Sequence, residues 1–266
     1  MSFPRRLAVI LAVILVAVSS AVLITGATGS ASGSEVAPTV DWTQFHGTAD
    51  HRGFNPAERE VGAGNVMNLS LSWIGNGSRV GADLVAKSSP TVIDGVVYFG
   101  TFGGQLLAFA DSCADPVCDP LWRVDLTEAI LNTPAVVDGI LYVGTASRLG
   151  RLYAFDVAAC RSGACDPLWT AHVAVGESSP TVLAGVVYVG SQFGDVYAFD
   201  AHGCGQPTCE PIWVGPTGEY VINSPAVAGG TVFAGSSDGR LYAFDAGGCA
   251  SSTCPPLCSS SPRTRW

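Results

Sequence analysis

"SSPTVLAGVVYVGSQFGDVYAFDAHGCGQPTCEPIW" runs from Ser178 to Trp213, and it decides the fold because the chain carries four versions of it. They open at Ser88, Asn132, Ser178 and Asn223, and their shared proline falls at Pro90, Pro134, Pro180 and Pro225, intervals of 44, 46 and 45. The most regular part is "LYAFD" at Leu152–Asp156 and Leu241–Asp245, with "VYAFD" at Val196–Asp200 and "LLAFA" at Leu106–Ala110.

Each unit reads as four short strands. "SPTVI" and its relatives form the first. Asp94-Gly95, Asp138-Gly139, Ala184-Gly185 and Gly229-Gly230 follow as hairpin turns, where positive φ is cheapest for Gly and tolerable for Asp. "VVYFG" is a second strand, a further glycine turn such as Asp238-Gly239 leads into the "YAFD" strand, and the Trp segment supplies the fourth. A period near 45 without a helical segment predicts an all-β chain, a β-propeller of four-stranded antiparallel blades. Alternation sends Tyr153 and Phe155, and with them Tyr197, Phe199, Tyr242 and Phe244, to one side of the third strand and Ala154 to the other. Large rings facing one neighbour and a small residue facing the other suit close stacking of blades.

With "SPxVxxGxxYxG", "LYAFD" and the Trp that ends each of the first three units (Trp122, Trp169, Trp213), the repeat resembles the quinoprotein-type unit of pyrroloquinoline quinone (PQQ) dehydrogenases and their non-catalytic relatives. "WTQFHGTADHRGFNP" (Trp42–Pro56) is similar to the stretch that precedes the first blade in that family. The resemblance covers roughly Trp42–Leu257 and implies seven or eight blades, of which this sequence has four. A partial ring is the expectation, with "NLSLSWIGNGS" (Asn68–Ser78) as a ring-closing strand, Trp73 in the place of the closing Trp, and partner strands in a blade the sequence does not reach. The fourth unit reads "PLCSSSPRTRW" where "PLW" and a strand are expected, so Cys258 stands at the Trp position. That break suggests a frameshifted or truncated member, or halves that pair as a homodimer to complete the ring.

Eight of nine cysteines form evenly spaced pairs: Cys113 with Cys118, Cys160 with Cys165, Cys204 with Cys209, and Cys249 with Cys254. In an exported chain that recurrence argues for four local disulfides. Zinc is the competing reading, but pairs on separate blades cannot converge on one ion.

Composition agrees with short strands and turns: 48% of the 266 residues are hydrophobic and 13% charged, with 32 Gly and 16 Pro. A formal net charge of −9, with Lys87 the sole lysine, leaves no basic face for nucleic acid. Arg5 and Arg6, an apolar run and the small-residue tail "TGATGSASGS" read as a signal peptide over 1–33, or as an N-terminal anchor if uncleaved, which would be the chain's contact with a membrane. The mature chain is then secreted or at the cell surface. It divides into a lead-in (34–85), four repeats (86–258) and an atypical tail (259–266).

Chemistry is sparse. "VLITGATGS" (Val22–Ser30) imitates a dinucleotide turn, but no helical pattern follows it. Ser237 in "GSSDG" imitates a nucleophile elbow inside what reads as a hairpin. His46 and His51, beside Asp50, read as polar members of a turn before they read as metal ligands. Asp156, Asp200 and Asp245 read as carboxylates capping the turn after the third strand. A PQQ dehydrogenase of the resembled family would show adjacent cysteines and acidic calcium ligands, and the sequence has no Cys-Cys pair. The expectation is therefore a non-catalytic binding or scaffold module for a protein or polysaccharide partner, without catalytic residues or cofactor. The alternative is a fragment of a PQQ- and calcium-dependent oxidoreductase.

Overall fold

The structure is a computed structural model that describes residues 41–59, 61–76 and 87–260, all within the unit Pro38–Trp266. The leader, its "GATG" turn and the end of the tail lie outside the described residues. After a two-residue strand β1 (Ile74–Gly75) come four four-stranded antiparallel sheets. The first blade holds β2 (Thr91–Ile93), β3 (Val96–Gly100), β4 (Gln105–Ala110) and β6 (Trp122–Asp125), with β5 (Val117–Cys118) in the loop before its last strand. The second holds β7 (Ala135–Val137), β8 (Ile140–Gly144), β9 (Arg151–Asp156) and β10 (Pro167–His172); the third β11 (Thr181–Leu183), β12 (Val186–Gly190), β13 (Asp195–Asp200) and β14 (Trp213–Pro216). The fourth holds β15 (Ala226–Ala228), β16 (Thr231–Gly235), β17 (Leu241–Asp245) and β18 (Cys258–Ser260). Innermost strands of successive blades touch in the order β2, β7, β11, β15, so the blades form an open, partial ring.

Hairpin geometry follows from the turn residues. Asp94, Asp138, Ala184 and Gly229 have φ between 48° and 57°, and the glycine after each also has positive φ, the mirror-image turn whose twist matches antiparallel strands. Blade stacking follows from register. Tyr142, Ala154 and Trp169 are cross-strand neighbours, so the small alanine lies between two large rings on one face of the second blade. Phe199 of the third blade packs on Trp169 with ring centroids 6.1 Å apart, and Phe244 packs on Trp213 at 5.9 Å. Tyr153, Tyr197 and Tyr242 stack on the phenylalanine two residues on. Trp169, Trp213, Phe155, Phe199 and Phe244 are all but fully buried.

Two donors anchor each of these junctions. Tyr142 Oη and Trp169 Nε1 both donate to the Ala201 carbonyl, at 3.0 and 3.1 Å. Tyr188 Oη and Trp213 Nε1 both donate to that of Ala246, at 3.0 and 3.3 Å. The residue after each Trp adds a parallel bridge to the next blade's disulfide loop, Thr170 to Thr208 and Val214 to Thr253.

Three features add to the sequence reading or differ from it. The described part of Asn68–Ser78, β1, pairs in parallel with β5 of the first blade. This is the bridge that Thr170 makes to Thr208 and Val214 to Thr253, so β1 stands where the last strand of a preceding blade would, as the sequence predicts. The cause is Trp73, which stacks on Phe109 and donates to the Asp111 carbonyl at 3.0 Å, as Trp169 and Trp213 do one blade on. The second difference is a short helix, α1 (Val157–Arg161), inside the disulfide loop of the second blade, capped by Asp156 through the amides of Ala158 and Ala159. The third is the lead-in, which runs along the innermost strands. The amides of Val92, Val136 and Val227 donate to the carbonyls of Trp42, Thr43 and Ala49, and that of Val182 to Oε1 of buried Gln44. These four valines hold the same place in each repeat, so a single segment satisfies the exposed edge of every blade.

Candidate functional site

Second-to-third-strand turns and inter-blade connections meet on one face of the ring. Hydrogen bonds join them: Ile130 N to Thr101 O, Ala146 N to Ala129 O, Gln192 N to Ala174 O and Val221 N to Ser191 O. At the tips of these turns Phe102, Leu149 and Phe193 are 49%, 81% and 57% exposed, and Tyr220 and Ile222 of a neighbouring connection are exposed as well. The fourth blade has Asp238 in its turn, where the carboxylate accepts from Tyr242 Oη at 2.7 Å, a contact that holds its pKa down. Three successive blades thus offer an apolar side chain where a turn ordinarily offers a polar one.

Within this face lies a cavity of about 460 Å³, lined by residues three and one places before the repeated prolines. Three places before stand Lys87, Leu131, Glu177 and Ile222, alternately charged and apolar; one place before stand Ser89, Thr133, Ser179 and Ser224. The hydroxyls also link blades, since Ser179 Oγ accepts from Thr133 N and Ser224 Oγ from Ser179 N, each at 2.9 Å. The residues between them are structural: buried Asn132 bonds the Gly144 and Gly176 carbonyls, and Ser178 Oγ accepts from Gly190 N. Asp195, on the same side, has its pKa raised by burial despite the 3.2 Å bond from Tyr197, whose own hydroxyl burial pushes up to about 12.

Residues singled out in the sequence fall elsewhere. All four cysteine pairs are disulfides, on the loops between third and fourth strands at the opposite side of the ring. Cys113 is bonded to Cys118 in the first blade and Cys160 to Cys165 in the second. Cys204 is bonded to Cys209 in the third and Cys249 to Cys254 in the fourth. The second member is buried in three of these pairs (Cys118, Cys209 and Cys254), whereas in the second blade Cys160 is buried and Cys165 only partly so, because α1 turns the first cysteine inward. Cys258 is free and exposed. Ser237 sits in the turn between β16 and β17, its amide donating to Tyr220 O. His51 Nε2 lies 3.2 Å from Thr181 Oγ1, and burial lowers its pKa, helped by His46 and opposed by Asp50. Asp200 and Asp245 accept from the amides two residues on, His202 and Gly247. No group of three or more His, Cys, Asp or Glu able to hold a metal occurs among the described residues. The apolar tips were missed in the sequence; their signal is Leu149 and Phe193 in the column where the fourth unit has Asp238, with Phe102 one place earlier in the same turn.

Stacked four-stranded blades with this repeat define the class, a β-propeller. The family model for the outer membrane protein assembly factor BamB matches residues 161–248. A search of curated proteins returns no match. Among solved structures, BamB from Moraxella catarrhalis is similar at 23% identity and a TM-score of 0.50, over 62% of this chain and 48% of that one. Quinohemoprotein alcohol dehydrogenases from Pseudomonas putida and Comamonas testosteroni are similar at 18% and 16% identity, each with a TM-score of 0.62, over 84% of this chain and 40% and 41% of theirs. The chain therefore spans less than half the length of each of these structures. The fold is that of a β-propeller, and its PQQ-like repeat is matched by the family model over residues 161–248.

Proposed function

We propose that this chain is an exported, non-catalytic propeller module that holds a protein partner against the face carrying Phe102, Leu149 and Phe193. The observation that carries this reading is the recurrence of an exposed apolar side chain at one turn of three successive blades. Exposed apolar groups rimming a polar centre are the usual mark of an interaction surface. Lys87 and Glu177 in the central cavity give that surface a charged register. Four disulfides support a location outside the reducing cytoplasm.

A photo-cross-linking amino acid placed at Phe193, with Leu183 on the opposite face as control, tests the reading in cells that express the chain. A discrete adduct with one protein is expected from position 193 and none from 183. Leu149→Asp combined with Phe102→Asp should abolish it without changing the circular dichroism spectrum. Adducts of equal yield from both faces would contradict the proposal. So would a thermal shift and a new absorbance band on adding PQQ and calcium, the result that the oxidoreductase alternative requires.

A further inference from the structure

The junction between the first and second blades differs from the next two. Tyr98 and Trp122 stand where Tyr142 and Trp169, and Tyr188 and Trp213, stand one and two blades later, with ring centroids 5.8 Å apart. Tyr98 is wholly buried and Trp122 is 9% exposed. Yet Tyr98 Oη and Trp122 Nε1 are the two buried side-chain polar atoms, among the described residues, without a hydrogen-bond partner. The acceptor they should share is the carbonyl of Val157, the residue equivalent to Ala201 and Ala246. Val157 instead opens α1, whose backbone directs carbonyls along the helix. An unmade hydrogen bond on a buried group costs about 1–3 kcal/mol, so each of these donors favours an oxygen that can reach it.

Tyr98 lines a cavity of about 370 Å³ at this junction, and Arg161 from the last turn of α1 lines it too. The Arg161 guanidinium lies beside the Tyr98 hydroxyl and pulls its pKa down, as a hydrogen-bond donor and by its charge, against the burial that raises it; a donor itself, it leaves the Tyr98 O–H proton without an acceptor. The cavity is also walled by carboxylates: Asp94 and Asp138 from the two hairpin turns, and Asp156, which caps α1. Donors inside and carboxylates at the turns are complementary to an oxygen acceptor that carries a positive charge beside it.

We propose that this cavity is a binding site for an amino acid or a peptide segment, whose carboxylate or carbonyl oxygen is taken by Tyr98 and Arg161, with Trp122 packed behind Tyr98 as a neighbouring reporter, and whose cationic group faces Asp94 and Asp138. It lies on the side of the ring opposite the apolar tips and stands independently of the protein-docking reading.

The test follows the Trp122 indole resonance of ¹⁵N-labelled protein, assigned with Trp122→Phe, during titration with glycine, with N-acetyl-lysine methylamide and with acetate. Glycine or the blocked lysine should move that resonance saturably, the first marking a free amino acid and the second a peptide, with acetate at least tenfold weaker. Tyr98→Phe and Arg161→Gln should each weaken binding at least tenfold. Phe233 already fills the Tyr98 position in the fourth blade, so the fold tolerates the first change, and the second lies at the surface of a short helix. The proposal is overturned if neither glycine nor the blocked lysine moves the resonance, if acetate binds as well as they do, or if both variants bind like the parent.

Discussion

Two junctions built from the same residue types behave differently. Between the second and third blades, Tyr142 and Trp169 close on the Ala201 carbonyl; between the first and second, Tyr98 and Trp122 find no such oxygen. The disulfide loop that supplies the acceptor accounts for the contrast. The disulfide loops of the third and fourth blades have Gly203 and Gly248 before their first cysteine, at φ 87° and 80°. A Cβ there would lie 2.6 Å from Trp169 Cδ1 in the third blade and closer still to Trp213 Cδ1 in the fourth. The second blade has Ala159 at that place and its loop winds into α1, whereas the first has Ser112 there and still offers Trp73 the Asp111 carbonyl at 3.0 Å, so the helix rather than the missing glycine removes the acceptor. A repeated donor is therefore no guarantee of a repeated bond, because the acceptor is a backbone atom placed by a different residue.

The largest effect is expected from carrying the second blade's solution into the third. Gly203→Ala should destabilise by about 2–4 kcal/mol through left-handed strain and overpacking against Trp169, read from urea denaturation. A midpoint unchanged from the parent would show that the indole does not depend on that glycine.

A smaller effect comes from the lead-in, which treats all four blades alike and so contrasts with the junctions. His51 is half-buried against Thr181, and its folded pKa is lowered below the ordinary 6.5. The unfolded chain then binds the proton more readily, so the stability His51 contributes is present above pH 6.5 and is lost as pH falls from there through the folded value. Thermal melts between pH 7.5 and about 5 should show that decline, and His51→Asn should flatten it. A decline of the same slope in the variant would assign it to other groups.

The smallest effect concerns the turns. Ala184 holds φ 51° where Gly229 stands in the fourth blade. Ala184→Gly should stabilise by about 0.5–1 kcal/mol, the left-handed cost relieved less the extra chain entropy. The same change at Asp94 or Asp138 should yield less, because Asp tolerates this conformation.

What was legible in the sequence was local. Blade period, strand order and hairpin turns follow from proline spacing, alternation and Gly pairs, and Asp156, Asp200 and Asp245 follow from short-range hydrogen bonding. The disulfides were legible for the same reason, since each joins cysteines five residues apart within one loop. The parallel pairing of Ile74 with Val117 was legible only through Trp73 in the closing-Trp place, because the pairing itself joins backbones far apart in sequence. The run of bonds from Trp42 to Ala49 along four blades, where Gln44 supplies a side-chain oxygen in place of a carbonyl, was hidden. The first junction was misleading for a related reason: the Tyr and Trp are there to be read, while the loss of their acceptor depends on a backbone conformation. The apolar tips stood in plain view but became informative only once the turns were known to share a face.

The most direct measurement compares Trp169→Phe with Trp122→Phe by urea denaturation. Both remove the same ring volume and the same indole N–H, so the difference isolates the bond to the next blade. Loss at Trp169 should exceed loss at Trp122 by about 1–3 kcal/mol, since the first removes a hydrogen bond that is made and the second removes a buried donor that has none. Equal losses, or a larger loss at Trp122, would contradict the account.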